Sequence, residues 1–277
     1  MPADYTRARK SVYGKELSFL LEPETPLRPS QVIMRAVPPS LSMPDELAKE
    51  VKRQWEAKTS GKKSGPDGMK WRYEGHLRFG DRISLYVSPI MYSWHNILRD
   101  SKGKPYEFYP TPLTVNSVQE TTDKKIPIAV RGKASDQKGL CFLGSGFIDR
   151  FAGDDVGTTL LYTPFNVVND ECSDETEYDV TLPGSGFNIQ KSGILGLARG
   201  SNTDIAVITH VPLYVSSEQV HLNPENHEHD DLLFLSTDEK TLRTFLETGG
   251  TQGARAADHL LGGIELYLLH KYAKRTI

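Results

Sequence analysis

The ten residues Asn169-Asp170-Glu171-Cys172-Ser173-Asp174-Glu175-Thr176-Glu177-Tyr178 are the most informative stretch of the chain. Phe165, Val168 and Cys172 fall at helical spacing, which predicts a helix over 165–176. On that helix Glu171, Asp174 and Glu175 occupy positions i, i+3 and i+4, so three carboxylates leave from one face. Like charges so placed cost about 0.2–0.5 kcal/mol per pair. A doubly charged cation with oxygen ligands would relieve that crowding, and Mg²⁺ takes a few carboxylates while keeping waters for substrate phosphates. Taken alone, a solvated acidic helix face is the plainer reading.

Upstream of the helix, Leu140–Ile148 reads as a strand interrupted by Gly144 and Gly146. Leu113–Gln119 and Ile126–Val130 read as strands flanking Thr121-Thr122-Asp123-Lys124, a hairpin signal. Downstream, strands are predicted at Gly193–Ala198, Ile205–Val215 and Leu232–Ser236. Helices follow at Asp238–Glu247 and Ala254–Lys274, the last with Leu260, Ile264, Leu268 and Tyr272 on one face.

Nearer the start, Met1–Ser30 reads as a charged, irregular entry marked by Pro23, Pro26 and Pro29. A short strand is predicted at Gln31–Val37. Ser42 before Pro44 opens a helix carrying Leu47, Val51 and Trp55, and Lys58–Gly68 is a polar loop. Strand-like runs at Lys70–Tyr73 and Arg82–Val87 precede a short helix, Tyr92–Leu98. The composition shifts in the Pro- and Tyr-rich stretch Pro105–Pro112. These elements predict an α+β protein with a β-rich N-terminal domain over 1–112 and a second domain over 113–277.

Composition excludes several classes. A net charge of -3 argues against a nucleic-acid backbone as partner, while leaving room for a nucleotide. The two cysteines, Cys141 and Cys172, have no CxxC partners, so neither a zinc knuckle nor a disulfide framework is indicated. Met1–Ser18 lacks the apolar core of a signal peptide, and no apolar run approaches the ~20 residues of a membrane helix. A cytoplasmic protein without membrane contact is the expectation.

Asp170–Tyr178 resembles the core of the Nudix box, G-x5-E-x7-R-E-U-x-E-E-x-G-U, where U is bulky and apolar. Glu171, Asp174 and Glu175 stand at its three metal-ligand positions, and Cys172 and Tyr178 at apolar ones. Asp170 replaces the arginine and Glu177 the glycine, so the box is degenerate. Gly144-Ser145-Gly146-Phe147-Ile148-Asp149 is similar to the glycine turn entering the box, which adds Gly146 and Asp149 to the candidates. Gly153–Thr163 resembles an insertion, with Asp154 or Asp155 standing for the earlier box glutamate. Ile126–Arg131 resembles the family's strand ending in arginine, which implies that Arg131 faces substrate phosphates, where a guanidinium grips two oxygens.

The layout is similar to the UDP-glucose and UDP-galactose diphosphatase branch, with its β-rich N-terminal extension, degenerate box and helical C-terminus. This resemblance implies a Nudix-type α/β/α sandwich with a mixed sheet over 113–277. It implies Mg²⁺-dependent hydrolysis, with Mn²⁺ as the alternative ion. The substrate class would be a nucleoside diphosphate linked to another moiety, a nucleotide sugar being favoured. The products would be a nucleoside monophosphate and a sugar phosphate. Glu171 and Glu175 would be catalytic, and Glu171, Asp174 and Glu175 would hold the metal. Because Asp170 stands where an arginine orients the first glutamate, an inactive Nudix-fold nucleotide-binding or interaction protein is the alternative.

His227-Glu228-His229-Asp230-Asp231 is the densest group of ligating residue types. If extended, it puts His227 and His229 on one side. It lacks the HExxH spacing of a zinc protease. A solvated loop, a zinc site, or a loop from which Glu228 reaches the Mg²⁺ site all remain open. Trp71, Tyr73, Tyr86, Tyr92 and Trp94 suit core packing, with one ring free to stack on a base or sugar. The glycines at 184, 186, 193 and 196 do not follow a dinucleotide-binding pattern.

Overall fold

The computed structural model describes residues 7–10, 16–40, 42–60, 67–99, 110–132, 139–150, 157, 159–160, 163–177, 191–200, 204–251 and 253–272. Asp154, Asp155 and Tyr178 lie outside the described residues. In chain order the elements begin with β1 (Arg7–Lys10), β2 (Glu16–Leu21), β3 (Val32–Ala36), α1 (Asp45–Thr59), β4 (Met69–Phe79), β5 (Arg82–Met91) and α2 (Tyr92–Leu98). Next come β6 (Leu113–Glu120), β7 (Lys125–Arg131), β8 (Leu140–Phe142), β9 (Gly146–Phe147) and α3 (Pro164–Glu175). The last are β10 (Gly193–Arg199), β11 (Ile205–Pro212), β12 (His229–Ser236), α4 (Glu239–Thr248) and α5 (Asp258–Tyr272).

A six-stranded sheet in the order β1-β2-β10-β11-β6-β9 forms the centre. It is mixed: β11 and β6 run parallel, from Ile205 opposite Leu113 to Pro212 opposite Glu120, while the other ladders are antiparallel. Strands buried on both faces read as nearly continuous apolar runs rather than alternating ones, and β11 (IAVITHVP) is such a run. Val207 packs on one side with Phe165, Val168 and Cys172 of α3. Ala206 and Ile208 pack on the other with Leu260, Ile264 and Leu268 of α5. Helix, sheet and helix thus form an α/β/α sandwich, and the chain is α+β as its sequence pattern indicates.

A three-stranded sheet, β12-β7-β8, and another, β3-β5-β4, complete the layers. In the latter, β4 and β5 pair as a hairpin that turns at Gly80-Asp81, and Trp71 is wholly buried. Helix α2 spans the predicted residues, and α1 buries Val51 with Leu47 and Trp55 packed beside it.

Three local expectations are revised. The turn at Thr121–Lys125 closes, with Thr121 N–H donating to the Lys125 carbonyl at 2.9 Å and Lys124 at φ 62°. Yet β6 and β7 do not form a ladder. β6 joins the central sheet, pairing with β11 along its length and with β9 at Thr114 and Val115, while β7 lies in another sheet between β12 and β8. The single strand expected over 140–148 is likewise two, because Gly144 at φ 63° turns the chain between β8 in one sheet and β9 in another. Finally, the irregular entry contains β2, whose Leu17 and Phe19 are buried beneath α5 and which pairs with β10. Among the described residues no helix is long and apolar enough to cross a membrane.

Candidate functional site

Helix α3 organises the site. Pro164 occupies its first turn, where a missing N–H costs nothing, and Thr163 N–H donates to Asn166 Oδ1 at 2.8 Å. Phe165, Val167, Val168 and Cys172 are buried against the sheet. Each Phe or Val contributes about 1.5–3 kcal/mol by such burial. Glu171 lies three residues beyond Val168, and Glu175 three beyond Cys172. The carboxylates therefore flank the apolar stripe and are drawn inward with it: Glu175 is buried and Glu171 half-buried. Asp174 stands at the exposed rim.

The glycine turn between β8 and β9 receives both glutamates. Gly144 N–H donates to Glu175 Oε2 at 2.6 Å. A Cβ at Gly144 would lie 2.6 Å from Cys172 Sγ, and one at Gly146 would overlap Glu171 Oε1. Glycine is required at 146 because the Glu171 carboxylate occupies the space of a side chain. Gln119 fixes the same corner from β6, donating from Nε2 to the Leu143 carbonyl and to Cys172 Sγ, both at 3.0 Å.

The loop before β12 closes the other side. The last carbonyls of a helix have no partners within it. Here Asn223 and Asn226 each donate from Nδ2 to the Asp174 carbonyl at 3.2 Å, and Asn223 N–H donates to the Glu175 carbonyl at 2.9 Å. Asn226 Oδ1 then accepts from Glu228 N–H at 2.8 Å. This clamp delivers Glu228 and His229 to the end of α3. One ligating atom each of Glu175, Glu228 and His229 lie within 4.8 Å of one another. His229 Nε2 is 3.1 Å from Glu175 Oε1, close enough for an ion pair but not aligned as a hydrogen bond.

Crowding shows in the acid–base chemistry. The Glu171 carboxyl is pushed up to about 8, first by burial and then by Glu175, Glu228, Asp174 and Asp149 in that order. Burial also raises Glu175, against the lowering effects of His229 and the Gly144 N–H. Burial holds the Cys141 thiol up at about 11, so it is no nucleophile at neutral pH. This donor set fits a hard or borderline divalent cation. Two inward carboxylates are disfavoured as anions by burial and by one another, and a cation would reverse both effects.

The structure therefore brings Glu171, Glu175, Gly146, Asp149 and Glu228 to one place. Asp149 acts on Glu171 electrostatically and is ion-paired with Lys70, whose ammonium also lies 5.8 Å from the ring centres of Tyr92 and Phe147. Asp174 joins through its charge rather than by contact with the buried pair. Arg131 ends β7 directly across the ladder from His229, with its guanidinium beside the Cys141 thiol. Lys70 was not singled out by sequence reasoning, and His229 was named there only within the 227–231 cluster, not as a neighbour of Glu175. For His229 the signal was present in the 227–231 cluster, whereas Lys70 carries none, because it comes from a distant strand.

No family model and no curated protein matches the chain. Among solved structures it is similar to a NUDIX-family hydrolase from Clostridium perfringens, at 16% identity and a TM-score of 0.35, over 57% of this chain and 97% of that one. It is also similar to the NUDIX domain of Shewanella oneidensis NrtR complexed with ADP ribose, at 14% identity and TM-score 0.38, over 62% of this chain and 95% of that one. A UDP-X diphosphatase is similar at 14% identity and TM-score 0.28, over 65% of this chain and 72% of that one.

Proposed function

We propose that this chain is a Nudix-type pyrophosphohydrolase, dependent on a divalent cation, acting on a nucleoside diphosphate linked to another moiety, a nucleotide sugar being favoured. The observation that carries the reading is the convergence of Glu171 and Glu175, from one helix, with Glu228 from a separate loop, beside a glycine turn that leaves room for the Glu171 carboxylate. A buried group of like charges is costly unless it has a counter-charge. A phosphate-bearing substrate supplies the reason to keep one.

The metal, Mg²⁺ or Mn²⁺, would be held by Glu171 and Glu175 with Asp174 or Glu228 at the rim; when bound it neutralises diphosphate oxygens and lowers the pKa of an attacking water. Burial and its acidic neighbours disfavour the Glu171 carboxylate on its own, so a cation held there gains directly from its charge. Arg131 grips phosphate oxygens and offsets charge on the leaving group. The turn Gly144–Asp149 holds the carboxylates in register, and the Gly144 N–H orients Glu175.

The test is release of a nucleoside monophosphate from a panel of nucleotide sugars and other diphosphate-linked nucleosides with Mg²⁺ or Mn²⁺. Glu175→Gln should lower the rate at least ~100-fold, the usual scale for a charge-stabilising group. A second reading, nucleotide binding without turnover, is favoured by one residue: Asp170 is an exposed acid where the Nudix pattern has an arginine. Stabilisation by nucleotide with no product from any member of the panel would select it.

A further inference from the structure

His229 does not fit a site that holds only a hard, oxygen-loving ion. Its side chain is 4% exposed; Nε2 stands at ion-pair distance from Glu175, and Nδ1 has no hydrogen-bond partner. Burying a polar atom without a partner costs about 1–3 kcal/mol. The ring nevertheless sits 3.1 Å from Glu175 Oε1, in the only group of three closely spaced potential ligands among the described residues. The asparagine clamp and the Gly132 N–H, which donates to the Glu228 carbonyl at 2.7 Å, fix the backbone on both sides. A bound metal would give the imidazole and the Glu175 carboxylate a shared partner.

We propose that Glu175, Glu228 and His229 form a mixed nitrogen–oxygen centre that selects a transition-series divalent cation over Mg²⁺. This deepens the reading of the site given above and rests on it. Imidazole suits Zn²⁺ and the transition-series ions, whereas Mg²⁺ prefers oxygen throughout and dehydrates reluctantly. Two carboxylates and one imidazole give three protein ligands. Glu228 is exposed, so its side of the centre is open to water or a substrate oxygen.

The experiment uses the full chain stripped of metal by chelation. Titration calorimetry with Mn²⁺, Zn²⁺ and Mg²⁺ gives affinities, and electron spin echo spectroscopy of the Mn²⁺ form reports whether nitrogen is coordinated. Mn²⁺ and Zn²⁺ should bind at least ~10-fold more tightly than Mg²⁺. The Mn²⁺ spectrum should carry a nitrogen modulation that His229→Gln abolishes and His227→Gln, at an exposed neighbour, retains. Equal affinities for the three ions, no binding, or a Mn²⁺ spectrum without nitrogen modulation would overturn the proposal. The wild-type spectrum decides even if His229→Gln does not fold. Nitrogen-coordinated Mn²⁺ without nucleotide turnover would support this centre and count against the hydrolase. Turnover with oxygen-only coordination would do the reverse.

Discussion

Replacing Glu171 with glutamine removes one charge from a place that disfavours it, and the structure gives the size of the effect. The carboxyl stands at about 8 in the folded chain against an ordinary value of 4.5. At about 1.4 kcal/mol per unit, that difference is worth roughly 4–5 kcal/mol between the two protonation states. Its sign follows from linkage: the folded state holds the proton more tightly than the unfolded state. The favourable contribution is complete below the unfolded value and is lost as pH rises through the folded one. Metal-free wild-type protein should therefore lose stability between about pH 5 and pH 8. Relaxation and water entry reduce the full value, so a loss of about 2 kcal/mol or more is expected, equivalent to several degrees in Tm. Glu171→Gln should match wild type near pH 5 and exceed it at pH 8. Urea unfolding in a chelating buffer across that range measures both. If the variant is no more stable than wild type at pH 8, the crowded-carboxylate account is wrong. A divalent cation should restore the wild type at pH 8 and do much less for the variant, because it binds the carboxylate form.

Three further outcomes follow from the packing. Gly146→Ala should keep the fold but displace the Glu171 carboxylate, so metal affinity measured by calorimetry should fall ~10-fold while Tm changes little. Asn223→Ala combined with Asn226→Ala should cost about 1–2 kcal/mol in denaturant unfolding, by freeing the carbonyl end of α3, and should weaken metal binding by loosening Glu228 and His229. Gly263→Ala places a methyl 2.5 Å from Phe142 Cε2 where α5 crosses the sheet, and should destabilise by about 1–3 kcal/mol without changing metal affinity at sub-denaturing temperature.

Much of the fold was legible because its signals are local. Helix α3 follows from Phe165, Val168 and Cys172 at helical spacing, behind Thr163 and a proline in the first turn. Helix α2 and the hairpin of β4 and β5 follow from short runs broken by turn residues. Partners were not legible. The turn after Glu120 reads as a hairpin because its residues are turn residues, and nothing in it says that β6 and β7 belong to different sheets. Strand β2 was lost for the opposite reason: Leu17 and Phe19 alternate correctly, but the prolines that follow dominate the local pattern. The boundary drawn at 112 rests on composition, which is silent on partners. In the structure β2, from the first part, pairs with β10 from the second.

The site divides along the same line. Glu171 and Glu175 can be read together because helical periodicity brings them together, one turn apart in sequence and in space. Glu228 and His229 are brought to them by tertiary contacts: the hydrogen bonds of Asn223 and Asn226 to the end of α3, and the pairing of His229 with Arg131 across the ladder. The asparagine contacts join residues about 50 positions apart, and no spacing rule encodes them. That dependence has a physical consequence. The two glutamates ride on a helix held by its own burial, whereas the loop before His229 is tied to that helix by a few polar contacts worth about 1 kcal/mol each. Metal bound through His229 would tie that loop to α3 far more firmly than the asparagines do. Cation binding should thus order the wall of the cleft as well as supply charge, because the carboxylates that repel one another and the imidazole beside them would share one ion.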